Sequence, residues 1–199
     1  MSALKQSRSL AEVEAILSSI PDPEIPVISI RELGILRDVR LISDVDGSTS
    51  VDVTITPTYG GCPAMDQIRD DIVSALAQAG LNARVTTRLA PAWTTDWISH
   101  EGREKLRAYG IAPPHVAESG QGRQQTTIQF APKNIATHAY STGAKALNDP
   151  SNDPVNEAVQ CPRCNSANTT ETSYFGSTSC KALYRCLDCM EPFDYFKPY

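Results

Sequence analysis

No apolar run in the 199 residues approaches the ~20 that a transmembrane helix requires, so no membrane partner is expected. The opening MSALKQSRSLAEVEAILSSI lacks the continuous apolar core of a signal peptide. A cytoplasmic location is therefore expected, where thiols stay reduced. Nucleotide chemistry has no fingerprint either: Thr142-Gly143-Ala144-Lys145 lacks the Ser or Thr that must follow in a phosphate-binding loop. Neither G-x-S-x-G nor H-E-x-x-H occurs. The three histidines, His100, His115 and His138, match no metal-ligand spacing. Basic charge is also short, with 18 Lys and Arg against 23 Asp and Glu, a net charge of −5 and no basic cluster. Nucleic acid is accordingly not among the expected partners. No self-sufficient active site is visible, and the chain is not expected to be an enzyme on its own.

What is present is a packed α/β pattern, supported by 41% hydrophobic residues. Leu10, Val13, Ile16, Leu17 and Ile20 recur at helical spacing behind Ser9, a good N-cap, and Pro21-Asp22-Pro23 stops the helix. A strand is expected over 35–43, with Val39 and Leu41 on one face, followed by an Asp46-Gly47 turn. The next strand alternates Val51, Val53 and Ile55 with polar residues. A second helix opens at Pro63 and closes at Gly80, burying Met65, Ile68, Ile72, Leu76 and Ala79. A third strand near 83–89 and a last helix ending at Tyr109 complete the order α-β-β-α-β-α. This predicts an α+β fold, a small two-layer α/β sandwich over residues 1–110. Residues 111–158 are rich in Pro, Gly and polar residues and read as a linker, with one strand-like stretch at Thr126–Phe130.

Residues 159–199 carry the strongest chemical signal. CPRC at 161–164 and CLDC at 186–189 form two CxxC pairs. Each knuckle turns two sulfurs toward one point, and four thiolates close a tetrahedron, the pattern of a zinc ribbon. Cys161, Cys164, Cys186 and Cys189 are the expected ligands of a structural zinc, since a closed four-sulfur site keeps no open position. Four thiolates also hold iron, and an oxidised CxxC redox pair is the alternative without metal. Thr169–Phe175 and Lys181–Arg185 read as the hairpin strands. Cys180, inside that hairpin, reads as a buried small hydrophobe rather than a ligand.

Cys62 is the second signal. It precedes Pro63 at the start of the second helix, where unpaired N–H groups and the helix dipole favour a thiolate, so a depressed thiol pKa is expected. A plain cap or core cysteine is the other reading. Asp22 and Glu24, in DPEIP, read as turn residues. Trp93 and Trp97 read as core or contact aromatics.

DPEIPVISIRELGIL (22–36), TPTYGGCPAMD (56–66) and PAWTTDWI (91–98) resemble the SufT-like family of metal-cofactor assembly proteins. The tail, with CPRCNS, FGSTSCKALYRC and EPFDYFK, is similar to the PaaD (PaaJ) branch associated with the multicomponent phenylacetyl-CoA epoxidase. The resemblance covers residues 1–112 and 159–199. It implies an accessory of aerobic phenylacetate catabolism that partners the oxygenase or reductase subunits and assists iron or iron–sulfur assembly. It further implies that Cys62 contacts transient iron or a cluster, and that Asp22 and Glu24 are signature positions of the family.

Overall fold

Helix α1, Leu10–Ser18, starts where Ser9 accepts the Glu12 N–H while the Glu12 carboxylate takes the Ser9 N–H, a reciprocal cap. It buries Val13 and Leu17. In this computed structural model residues 8–43, 49–114 and 158–199 are described, and they belong to one unit of the chain. The Asp46-Gly47 turn, Thr126–Phe130, His115, His138 and the expected linker from 115 to 157 lie outside the described residues.

Strand β1, Leu36–Ser43, pairs antiparallel with β2, Thr49–Ile55, and β2 pairs parallel with β3, Asn82–Thr87. A parallel pair needs a crossover, which α2, Ala64–Gln78, supplies. The alternating Val51, Val53 and Ile55 turn inward onto Met65, Ile68, Ile72 and Leu76, all buried in one core. This is the two-layer α/β sandwich. β3 stops at Thr87, short of the expected 89, and Leu89 is exposed. The reason is its partner: β2 ends at Ile55, whose carbonyl takes the last bond, from the Arg88 N–H.

The stretch between α1 and β1 lacks periodicity yet is densely packed, with Ile25, Ile28, Ile30, Leu33 and Ile35 buried. Helix α3, His100–Tyr109, lies against it, capped by Ser99. Contact is so close that a Cβ on Gly102 would meet Ile28 Cδ1 at 2.9 Å and the Glu32 carbonyl oxygen at 3.0 Å. Lys105 reaches Glu32 at 2.6 Å on the same seam.

The C-terminal sheet has the order β4-β7-β6-β5, built from β4 (Ile111–Ala112), β5 (Thr169–Ser173), β6 (Lys181–Cys186) and β7 (Pro192–Phe196). The hairpin β5–β6 matches the sequence reading, whereas β4 and β7 have no counterpart in it. β4 opens the segment read as linker and pairs parallel with β7, so the α/β chain contributes an edge strand to the ribbon sheet. Phe196 and Cys180 belong to the α/β core, not to the ribbon's own small cluster. Trp93 joins the two parts. Its Nε1–H donates to the Leu33 carbonyl at 3.0 Å, and its ring packs on Phe196 and Tyr199 at 5.9 and 6.3 Å between centroids. Among the described residues no helix is long and apolar enough to cross a membrane.

Two glycines separate backbone strain from crowding. Gly34 has φ +76, and an added Cβ would lie 2.6 Å from Trp97 Cβ and 2.7 Å from its carbonyl oxygen; Gly80 has φ +79 with open space around it. Gly80→Ala should cost only the left-handed backbone, about 1 kcal/mol. Gly34→Ala adds overpacking and should lose about 3 kcal/mol. Chemical denaturation of the two variants tests this, and equal losses would refute the packing assigned to Trp97.

Candidate metal and thiol sites

The two CxxC segments adopt the same local turn. In the first, the Cys161 carbonyl takes the Asn165 N–H at 2.9 Å, and the Cys161 N–H donates to Ser166 O at 2.9 Å. In the second, the Cys186 N–H donates to Glu191 O at 3.0 Å, and the Cys189 N–H points at Cys186 Sγ at 3.5 Å. Each knuckle is followed by a non-glycine residue in the left-handed region, Asn165 at φ 61 and Met190 at φ 64. Asp188 ties one knuckle to the other by accepting from Ser166 Oγ and from Asn168 Nδ2.

Together the knuckles bring Cys161, Cys164, Cys186 and Cys189 to one point, with all four sulfurs within 4.8 Å of one another. Sulfurs placed ~2.3 Å from a tetrahedral ion are ~3.8 Å apart. Two of the four cross-knuckle pairs measure 3.8 Å, Cys161 to Cys189, and 3.6 Å, Cys164 to Cys186. The donor set therefore fits a metal ion. The N–H directed at Cys186 from Cys189, working against burial, draws its thiol down to about 7, which favours a ligating thiolate. The local apolar cluster is only Ala112, Val159, Phe193 and Tyr195 around the two buried cysteines, Cys161 and Cys186. A metal bound here would be a main stabilising element of this end of the fold.

Cys62 lies elsewhere, half-buried, one residue ahead of Pro63, the N-cap of α2. Its expected depression does not occur. Burial raises the thiol, outweighing the Ala64 N–H that points at it, and the Glu24 and Asp22 carboxylates push it further in the same direction. The helix terminus loses chiefly because the sulfur is partly buried, with the two carboxylates adding to that effect. Asp22 is buried and turns the chain by accepting the Glu24 and Ile25 N–H groups at 2.9 and 2.8 Å, which agrees with its reading as a turn residue. That turn presents Glu24 to the cysteines.

Sequence reasoning missed two members of this constellation. Tyr59 stands beside Cys62 and Ser179; burial and the neighbouring Cys62 hold its phenol up at about 12. Cys180, from the ribbon hairpin, donates its thiol to Glu24 Oε2 at 3.8 Å and contacts Thr178 Oγ1 at 3.0 Å. Burial, then the nearby carboxylates, push Cys180 up to about 11, even with Lys181 opposing. Tyr59 was within reach as the aromatic residue of the TPTYGGCP stretch. For Cys180 no local signal exists, because its partner Glu24 lies at the other end of the chain.

Comparison with known proteins places both parts. A model described as an iron-sulfur cluster assembly protein matches residues 10–87, and one described as the PaaD zinc beta ribbon domain matches residues 148–197. The chain is 41% identical over 187 residues to an Escherichia coli (strain K12) protein named as a putative subunit of 1,2-phenylacetyl-CoA epoxidase, spanning 94% of this chain and 91% of that one. It is 31% identical over 97 residues to the "Fe-S protein maturation auxiliary factor" of Porphyromonas gingivalis (strain ATCC BAA-308 / W83), over 48% of this chain and 88% of that protein. A crystal structure of the domain of unknown function DUF59 from Bacillus anthracis matches at 27% identity and a TM-score of 0.42, over 48% of this chain and 89% of that one.

Two outcomes are expected. Cys161→Ser with Cys186→Ser should remove about one metal ion per chain and lower the unfolding midpoint, as should a chelator; unchanged metal content and stability would remove the four-cysteine centre. The alkylation rate of native Cys62 against pH should rise with a midpoint above 9.0, the ordinary thiol value, and Glu24→Gln should bring that midpoint down by removing a negative charge. A raised folded-state thiol favours folding below the ordinary thiol range, an advantage lost as pH climbs through the raised value. A midpoint below 9.0 would restore the activated thiolate.

Proposed function

This chain belongs to the PaaD family, and from that premise we propose that it is an accessory factor of the phenylacetyl-CoA epoxidase that helps install iron or iron–sulfur cofactors, not a catalyst in its own right. Its similarity to a protein named for the epoxidase supports the pathway, and its similarity to a named iron–sulfur maturation factor supports the task. The observation that carries the reading is the separation of two kinds of thiol. Four cysteines converge on a coordinatively saturated metal centre, while Cys62 stands apart beside a carboxylate, half-open to solvent.

In this reading Cys161, Cys164, Cys186 and Cys189 hold zinc, which supplies structure alone because no coordination position is left for a substrate. Cys62 does the handling. Kept protonated by burial and by Glu24 and Asp22, it is a poor nucleophile and resists oxidation, which follows thiolate character. A cation offered by a donor repels the proton and is held by a soft sulfur. A single main contact of this kind lets go again when a client presents a better-formed site. Gly60 and Gly61 leave open space where side chains would otherwise screen Cys62, so a large partner can approach.

The name of the Escherichia coli relative favours a second reading, a stoichiometric component of the oxygenase complex. Reconstitution separates the two. Cells lacking this protein should accumulate epoxidase that is assembled, inactive and poor in iron. Fully metallated oxygenase and reductase should then turn over phenylacetyl-CoA without it. A stoichiometric requirement in that fully metallated system would replace the maturation role with the structural one.

A further inference from the structure

The loop joining β5 to β6 carries two large aromatic rings that the fold leaves uncovered. Tyr174 and Phe175 are 60% and 63% exposed and meet edge to face, 5.1 Å between centroids. The loop beneath them is tied down. Ser173 Oγ donates to the Phe175 carbonyl at 2.8 Å and accepts the Phe175 N–H at 3.3 Å. The Gly176 N–H donates to the Lys181 carbonyl at 2.7 Å, and a Cβ on Gly176 would meet Asp194 Oδ1 at 3.0 Å. Ser177 Oγ donates to Asp194 Oδ2 at 3.2 Å. An aromatic pair held this way loses little freedom when a partner covers it, the property that makes an interface anchor.

What stands behind the rings selects the partner. The Lys197 ammonium lies 4.2 Å from the Tyr174 centroid and 4.8 Å from that of Phe175, and it donates to the Tyr174 carbonyl at 3.3 Å. Lys197 is 7% exposed, and among the described residues no carboxylate pairs with it. Lys181, the other buried lysine, is by contrast paired to Asp194 at 3.2 Å. The rings stand in for a counter-ion at Lys197. A buried charge is screened little by salt, so the patch is apolar in its groups and positive in its field. We propose that this hairpin tip is the surface on which the protein docks its client, taking a client segment in which apolar side chains adjoin carboxylates. The apolar groups cover the two rings, while the carboxylates lie against ring edges, where the aromatic quadrupole and the ammonium both attract them. A basic segment of the same shape meets repulsion instead. A contact centred on two rings is small, and small interfaces are transient, as a factor that leaves its client requires. The identity of the client rests on the maturation reading; the docking chemistry follows from the side chains.

The test titrates the full-length protein, its four-cysteine centre filled with zinc, with a short peptide of alternating leucine and glutamate, and follows the backbone amides by NMR. Shifts should centre on residues 173–178. The same peptide with lysine for glutamate, or with serine for leucine, should bind about tenfold more weakly. Tyr174→Ser with Phe175→Ser should abolish the shifts while ribbon zinc and the unfolding midpoint are retained, since both rings are exposed. Lys197→Met keeps the apolar stem and should erase the preference for glutamate over lysine. The inference is overturned if the leucine–glutamate peptide leaves the hairpin tip unshifted, if the glutamate and lysine peptides bind the wild-type protein equally, or if the double variant binds as wild type does. Concentration-dependent shifts of the same residues without peptide would make a second copy of the chain the occupant and overturn it too. The charge comparison is read on unmodified protein, so it decides the matter even where a variant misfolds. The epoxidase reconstitution is independent, so either result can fail without the other.

Discussion

The indole of Trp93 is the contact on which the arrangement of both halves depends. Its N–H takes the Leu33 carbonyl inside the aperiodic stretch that precedes β1, and its ring receives Phe196 and Tyr199 from the last residues of the ribbon. A buried indole needs a hydrogen-bond acceptor as well as apolar cover, and here the two requirements are met by different parts of the chain. The β4–β7 pairing adds backbone bonds to the same junction. The ribbon has a meagre core of its own, so docking on Trp93 and closing on metal are complementary sources of its order.

Docking also decides the thiol chemistry. Cys186 in the ribbon and the two cysteines near Glu24 are tuned in opposite directions by what faces them. An N–H directed at Cys186 favours the thiolate that a resident ion needs. Burial and carboxylates around Cys62 and Cys180 favour the neutral thiol.

Lys197 reinforces the hairpin from outside, with its ammonium over the rings of Tyr174 and Phe175 at 4.2 and 4.8 Å.

Local patterns were enough to read much of this protein. Ser9 with Glu12 marks a helix start, Val51, Val53 and Ile55 a half-buried strand, and CPRC with CLDC a four-sulfur centre, because each signal lies within a few residues and obeys a fixed period or spacing. The α/β sandwich, the hairpin β5–β6 and the convergence of the four ribbon cysteines follow from such signals. The buried stretch holding Ile25, Ile28 and Ile30 has no period, and the two-residue strand β4 is too short to show one, so neither was legible. The thiol of Cys62 shows the limit most clearly. Its position before α2 argued for a low pKa, but the burial that raises it, and the charges of Glu24 and Asp22 that add to it, arrive through the fold. Cys180 meets Glu24 for the same reason. Short-range geometry is written in the order of residues, whereas burial and the charges facing a group exist only once distant segments have packed together.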